Sequence, residues 1–280
     1  MPSTSPRLWI VATPLGNPGD LSPRAREVLE AADLVLAEDT RRAAALFRRL
    51  GLAPRRFLSF YEQNEEERRA EVLAALRGGA EVALISDAGT PLVADPGYRL
   101  VRACRSEGIA VSPVPGASAP VAALSAAGLP PLPFTFLGFL PRDAGGRRAL
   151  FRAYATVPGS LVFFERKDRL AESLALASAI LGPRELAICR ELTKTHEQFL
   201  LGRLADGAEL ARDLLGEITV IIGPPEGPPE RADAGAARGC LRDLLGQGLK
   251  PREAAREAHA RLPGWSVKEL YALIPDIGAE

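Results

Sequence analysis

Ser86-Asp87-Ala88-Gly89-Thr90-Pro91-Leu92-Val93-Ala94-Asp95-Pro96-Gly97 follows the apolar run Val82-Ala83-Leu84-Ile85 and precedes a segment, 98–107, with helical periodicity. The apolar run reads as a buried strand. A strand that stops among Gly, Pro, Asp and Thr leaves backbone N–H and C=O groups exposed at its carboxyl end, where open α/β sheets bind small ligands. Gly89 and Gly97 reach conformations closed to other residues and admit a ligand close to the main chain. Asp87, Thr90 and Asp95 offer oxygens, and no basic side chain follows until Arg99. The loop therefore suits a neutral or cationic ligand better than a phosphate, although ordinary strand-to-helix turns use the same residue types.

Outward from this loop, strands at 8–13, 34–37, 57–60 and 109–114 alternate with helices at 22–32, after the polar knot 38–42 to near 51, and at 64–77, 98–107 and 119–127. Ser22, Asn64 and Ser118 are placed as N-caps, with Pro23 as a first helical residue. This order predicts an α/β fold with a mostly parallel sheet over residues 1–128. After the stiff connector 128–133, strands at 134–137, 160–164, 185–190, 198–201 and 217–222 and helices at 147–154, 169–181 and 204–215 predict a second α/β domain, 129–223, with a mixed sheet. Residues 224–235 form a Pro/Gly-rich linker. Three short helices within 236–280 complete a small helical appendage, with Ser266 capping the last.

The chain has 280 residues, 47% hydrophobic and 25% charged, as expected of a globular protein. No apolar run approaches the ~20 residues of a membrane span, and residues 1–10 lack the sections of a signal peptide. Cys104, Cys189 and Cys240 are scattered, which fits a reducing cytoplasm and buried packing roles. With 35 basic and 35 acidic residues, attraction to nucleic acid would need local patches. The pairs Arg41-Arg42, Arg48-Arg49, Arg55-Arg56 and Arg147-Arg148 are the candidates.

Several chemistries are excluded. There is no G-x-G-x-x-G after the first strand and no P-loop motif. Two distant histidines, His196 and His259, argue against a His-based metal site or a Ser-His-Asp triad. A hydrolase using Glu38, Asp39, Asp87 and Asp95 is a weaker alternative. What remains is a rim of strand-end loops at 13–17, 38–41, 86–97 and 113–118, joined from the second domain by 163–165 and 190–194, around a two-domain cleft.

In order, T-P-L-G-N, A-E-D-T-R, S-D-A-G-T-P-L-V-A-D-P-G-Y, P-V-P-G-A-S, G-F-L-P and R-E-L-T-K-T-H closely resemble the ribosomal RNA small-subunit methyltransferase I family, within the tetrapyrrole-methylase superfamily. The resemblance covers residues 8–223. It implies two α/β domains of the tetrapyrrole-methylase type, S-adenosylmethionine in the cleft between them, a homodimer, and methylation of a cytidine ribose 2′-oxygen in small-subunit ribosomal RNA or the 30S particle. By resemblance the cofactor touches Pro14, Asp87, Ala88, Gly89, Thr90, Asp95, Ser118, Phe164, Leu192 and Gly216. Lys194, Glu191, Glu165, Glu38 and Asp39 are candidates for easing deprotonation of the hydroxyl. Arg41 and Arg190 are candidates for holding a phosphate. Tyr61 and Asn64 either pack a turn or contact the target nucleotide, and Phe134-Thr135-Phe136 is read as core. The alternatives are a tetrapyrrole carbon methyltransferase of the same superfamily and an RNA-binding assembly factor without turnover.

Overall fold

The computed structural model describes residues 7–226, 232–262 and 264–277. Part of the expected linker, 227–231, lies outside the described residues. The elements in chain order are β1 (Arg7–Val11), α1 (Pro23–Ala31), β2 (Leu34–Ala37), α2 (Thr40–Leu50), β3 (Phe57–Ser59), α3 (Glu65–Arg77), β4 (Val82–Ile85), α4 (Tyr98–Ser106), β5 (Ala110–Val114) and α5 (Ala119–Ala126). They continue with β6 (Phe134–Phe139), α6 (Ala144–Ala153), β7 (Ser160–Glu165), α7 (Lys167–Leu181), β8 (Glu185–Arg190), β9 (Gln198–Arg203), α8 (Gly207–Leu210) and β10 (Ile218–Ile222). The last helices are α9 (Ala234–Gly246), α10 (Pro251–Arg261) and α11 (Val267–Ile277). Residues to Pro224 form one compact unit and Pro225–Glu280 a second.

The first sheet has the order β3-β2-β4-β1-β5, all parallel. β2 and β4 are apolar and buried at every position because both faces are covered. Val35, Ala37, Ala83 and Ile85 face Ala25, Leu29 and Phe47 of α1 and α2. Leu34, Leu36, Val82 and Leu84 face Val72, Leu76 and Leu100 of α3 and α4. Ser22 caps α1, accepting from the Ala25 N–H, and Asp39 caps α2, accepting from the Arg41 N–H. Asn64 and Ser118 make no side-chain cap bond, contrary to expectation. The Asn64 amide turns back instead, accepting from the Tyr61 N–H at 2.8 Å and donating to the Ser59 carbonyl at 3.0 Å.

The second sheet has the order β6-β7-β10-β8-β9. β6 and β7 are parallel, and β10 enters antiparallel between β7 and β8. One face buries Leu161, Phe163, Ile188 and Val220 against Phe151 of α6 and Leu170 and Leu174 of α7. The other buries Val162, Ala187, Cys189 and Ile221 against Ala123, Leu124 and Ala127. α5, which follows the first sheet in the chain, thus packs on the second. Three sequence expectations change here. The helix expected over 204–215 is only the four-residue α8 after a 3-10 turn. Of the segment 134–136 read as core, Phe136 packs against the second sheet's buried cluster while Phe134 is exposed. Arg147 is buried, paired with Glu172 at 2.6 Å, and is no part of a basic surface.

The Pro225–Glu280 unit is a three-helix cluster around Leu241, Leu244, Ala258, Trp265 and Leu270. Ser266 caps α11 as expected: its hydroxyl accepts from the Glu269 N–H at 3.2 Å, and its own N–H donates back to Glu269 at 2.8 Å. No helix among the described residues is long and apolar enough to cross a membrane.

At the start of β7, Gly159 has φ +153°, and a Cβ there would collide with the Pro133 carbonyl, which accepts from Ser160 at 3.0 Å. Gly159→Ala should destabilise the protein by roughly 1–3 kcal/mol, as backbone strain and overpacking cost elsewhere, and chemical denaturation measures it.

Candidate active site

The carboxyl ends of β1, β2, β4 and β5 point the same way because the first sheet is parallel. Thr13 and Gly89 stitch two of these ends together with reciprocal backbone bonds of 2.8 and 3.0 Å, and the Thr13 hydroxyl donates to the Ser86 carbonyl at 3.2 Å. Gly89 sits at φ +79°, where a Cβ would press to 3.1 Å from the Leu15 side chain. The Thr90 hydroxyl ties this loop to the Ala117 carbonyl at 2.9 Å. On the other lobe the antiparallel entry of β10 sets Ile218 opposite both Glu165 and Arg190. The ends of β7 and β8 and the start of β10 therefore meet at one edge.

Between these two rims lies a cavity of about 500 Å3. Of the sequence candidates, Glu38, Asp87, Ala88, Gly89, Thr90, Asp95, Ser118, Phe164, Glu165, Leu192 and Gly216 line it. Pro14, Asp39, Arg41, Tyr61, Asn64, Arg190, Glu191 and Lys194 do not. Glu217, Ile218 and Thr219 line it unexpectedly, because a strand's amino end carries no ligand-loop signature in sequence. Arg42 also lines it and donates to Asp87 at 2.6 Å, so the central loop does have a basic neighbour in space. Sequence separation hid that neighbour.

Glu38, Asp87 and Asp95 give the cavity an acidic wall. Burial, and next the Glu38 charge, pushes the Asp95 carboxyl up to about 6, against the opposing hydrogen bond from Ser86. Glu165 differs from these three. Its side chain is buried and fully engaged, with Arg169 at 2.5 Å, the Ser173 hydroxyl at 2.7 Å and the Arg166 N–H at 2.8 Å. That carboxylate borders the cavity but is committed to bracing α7.

Behind Leu192 the Lys194 ammonium bridges Glu191 at 3.1 Å and Glu217 at 2.9 Å. Burial opposes its charge, but the Glu217 and Glu191 carboxylates prevail and hold it above the usual lysine range. Glu191 is held low, first by the Glu217 N–H and, against partial burial, by Lys194. A lysine so paired is a poor proton acceptor at neutral pH. Its stem lies against Gly16, where a Cβ would collide with Lys194, and Asn17 donates to the Thr193 hydroxyl at 3.2 Å. Arg190 is engaged by the Leu215 carbonyl at 2.9 Å and Gln198 at 3.1 Å.

A family model described as Tetrapyrrole (Corrin/Porphyrin) Methylases matches residues 7–208. The chain is 47% identical to ribosomal RNA small subunit methyltransferase I of Mesorhizobium japonicum, over 95% of this chain and 90% of that one. The chain belongs to the ribosomal RNA small subunit methyltransferase I family of tetrapyrrole methylases. The Pseudomonas aeruginosa member is 43% identical over 94% of this chain and 95% of its own length. Among solved structures, uroporphyrin-III-C-methyltransferase from Thermus thermophilus superposes with a TM-score of 0.58 at 26% identity, covering 78% of this chain and 94% of that one. A second structure of that enzyme, 24% identical with TM-score 0.58, covers 78% of this chain and 97% of its own and is complexed with S-adenosyl homocysteine. Membership of the small subunit methyltransferase I family makes this chain an S-adenosylmethionine-dependent methyltransferase.

Within this family member the Glu165 assignment is directly testable. Glu165→Gln should lower stability by about 3 kcal/mol, as expected when one partner leaves a buried pair, while kcat at a temperature where the variant is folded changes less than threefold. Thermal melting and steady-state kinetics on the same preparation separate the two effects.

Proposed function

We propose that this methyltransferase modifies the 2′-oxygen of a cytidine ribose in small-subunit ribosomal RNA, with S-adenosylmethionine held in the cleft between the two sheets. The observation that carries this reading is the cavity itself: about 500 Å3, walled by both lobes, acidic on one side and apolar at Leu15, Phe164 and Leu192 on the other. That volume falls within the usual range for small-ligand sites. The residues present fit the donor's chemistry. Asp87, Asp95 and Glu38 would face its cationic groups, the Gly89 and Ala88 backbone would lie against it, and Phe164 and Leu192 would cover its apolar parts.

S-adenosylmethionine supplies a methyl group activated on a positively charged sulfur. The chain's own task is to hold acceptor oxygen, methyl carbon and sulfur in line, and orientation of this kind can supply on the order of 7 kcal/mol of the barrier. We assign the acceptor hydroxyl to Glu38, exposed at the end of β2 and on the cavity wall, because Glu165 and Lys194 are committed to other partners.

Incubation with labelled donor and small ribosomal subunits, followed by digestion to nucleosides, should place label in 2′-O-methylcytidine. Label confined to an added porphyrinogen would replace this reading with tetrapyrrole methylation.

The Asp95 environment adds a pH dependence. A bound cation favours ionised Asp95, so donor affinity measured calorimetrically should fall as pH drops through about 6. Asp95→Asn should remove that dependence. For the ligand-free protein the sign is opposite. A carboxyl raised in the folded state binds more protons folded than unfolded, so its stabilising effect is present at low pH and lost as pH rises toward about 6.

A further inference from the structure

Beside the donor cavity, and sharing Glu38 with it, lies a second recess of about 410 Å3 lined by Glu38, Asp39, Thr40, Arg41, Ser59 and Tyr61. Its construction is rigid. The Ser59 hydroxyl donates to the Glu38 carbonyl at 3.3 Å, tying the end of β3 to the end of β2. Phe60 donates its N–H to the Ala37 carbonyl at 2.8 Å. Asn64 clamps the turn from both sides, receiving the Tyr61 N–H and donating to the Ser59 carbonyl, while the Tyr61 carbonyl accepts from Asn64 and Glu65 at 3.0 and 2.9 Å. Glu65, whose side chain is buried under this turn, accepts from the Leu100 N–H at the start of α4 at 3.2 Å. These bonds fix the Tyr61 backbone, so its exposed side chain lines the recess together with Arg41, whose side chain is 91% exposed.

Aromatic ring, cation and carboxylate in one recess match the three parts of a nucleotide. A base has a flat face that stacks on an aromatic ring, a phosphate pairs with a guanidinium, and a ribose hydroxyl needs an acceptor. Asp39 does not serve as that acceptor, because it caps α2; its pair with Arg41 at 3.2 Å is largely exposed on the arginine side and weak enough to be exchanged for a phosphate. Only Glu38 lines both this recess and the donor cavity among these six residues. A base inside a stacked helix cannot reach such a recess, so the nucleotide must enter from a single strand or be turned out of its stack.

We propose that this recess receives the target nucleotide, with Tyr61 stacking on its base, Arg41 pairing with an adjacent phosphate and Glu38 accepting the hydrogen of the ribose 2′-hydroxyl. The assignment rests on the RNA-methylation reading above and adds the acceptor side to it. In the transfer step the 2′-oxygen forms its bond to the methyl carbon, and the carbon–sulfur bonding pair returns to sulfur as a neutral thioether. The hydroxyl proton passes to a Glu38 carboxylate oxygen. Asn64 is a positioning residue for Tyr61 and touches no substrate, and Arg190, engaged at the far lobe, has no part in the recess.

Two readouts test this. With S-adenosylhomocysteine present, millimolar cytidine 3′-monophosphate titrated into the protein should shift NMR signals of the recess. Tyr61→Ala and Arg41→Ala should each weaken that binding at least tenfold, while calorimetric affinity for S-adenosylhomocysteine stays within twofold of the parent. In turnover with small ribosomal subunits, Glu38→Gln should lower kcat at least 100-fold, with KM for the subunit within threefold. Tyr61→Phe should restore the Tyr61→Ala loss. Absence of nucleotide binding by the parent, or binding shared equally by the variants, overturns the recess assignment even if ribosomal cytidine is methylated. Glu38→Gln at parental kcat overturns the acceptor role. Nucleotide binding lost in the variants, with no label in ribosomal cytidine, would keep the recess and overturn the RNA substrate.

Discussion

Lys194 is the clasp on which the cleft depends. Its ammonium is shared by Glu191 and Glu217, which come from two strand ends of the second sheet, and its stem fills the space against Gly16 of the first lobe. A Cβ at Gly16 would collide with the Lys194 side chain, so the T-P-L-G-N loop lies directly against the Lys194 stem. The neighbouring Asn17–Thr193 bond adds a second point of contact. Gly216 carries the same demand from the other side, since a Cβ there would overlap the Glu191 carboxylate. Three residues far apart in sequence are thus required together before a floor exists between the lobes.

Above that floor the charges are unequally spent. Lys194, Glu191 and Glu165 are each neutralised by close partners, which suits structural roles. Glu38 is exposed, and Asp95 carries a carboxyl raised by burial and by like charge. Arg42 offsets part of this excess by pairing with Asp87, but exposed pairs of this kind are worth about 1 kcal/mol or less and yield readily to a ligand. An acidic wall that is left undercompensated is the electrostatic complement of a cationic donor.

Much of the fold was legible in sequence because the buried strands β2 and β4 read as continuous apolar runs, and Ser22 and Ser266 mark helix starts by their chemistry. The loops after parallel strands were legible for the same reason: each lies at a carboxyl end, and parallel order gathers those ends. What escaped was non-local. The amino end of β10 joins the cavity only because that strand runs backwards between β7 and β8, and no local pattern announces a strand's direction. Asn64 looked like a helix cap because its type and position suit one, yet its amide serves the preceding turn. Lys194 and Glu165 carried the right residue types for proton transfer, and only their partners in space show that they are spoken for.

α5 belongs to the first lobe by sequence and to the second by packing, since it buries Ala123 and Leu124 against the second sheet. In consequence the polypeptide passes from one lobe to the other only once, at Pro115-Gly116-Ala117-Ser118. That crossing is the covalent link between the lobes, beside the Lys194–Gly16 and Asn17–Thr193 contacts. It is itself pinned by the Thr90 hydroxyl on the Ala117 carbonyl and by Gly116 crowded against Ala12. The loop that lines the cavity thereby also bears on the stiffness of that link.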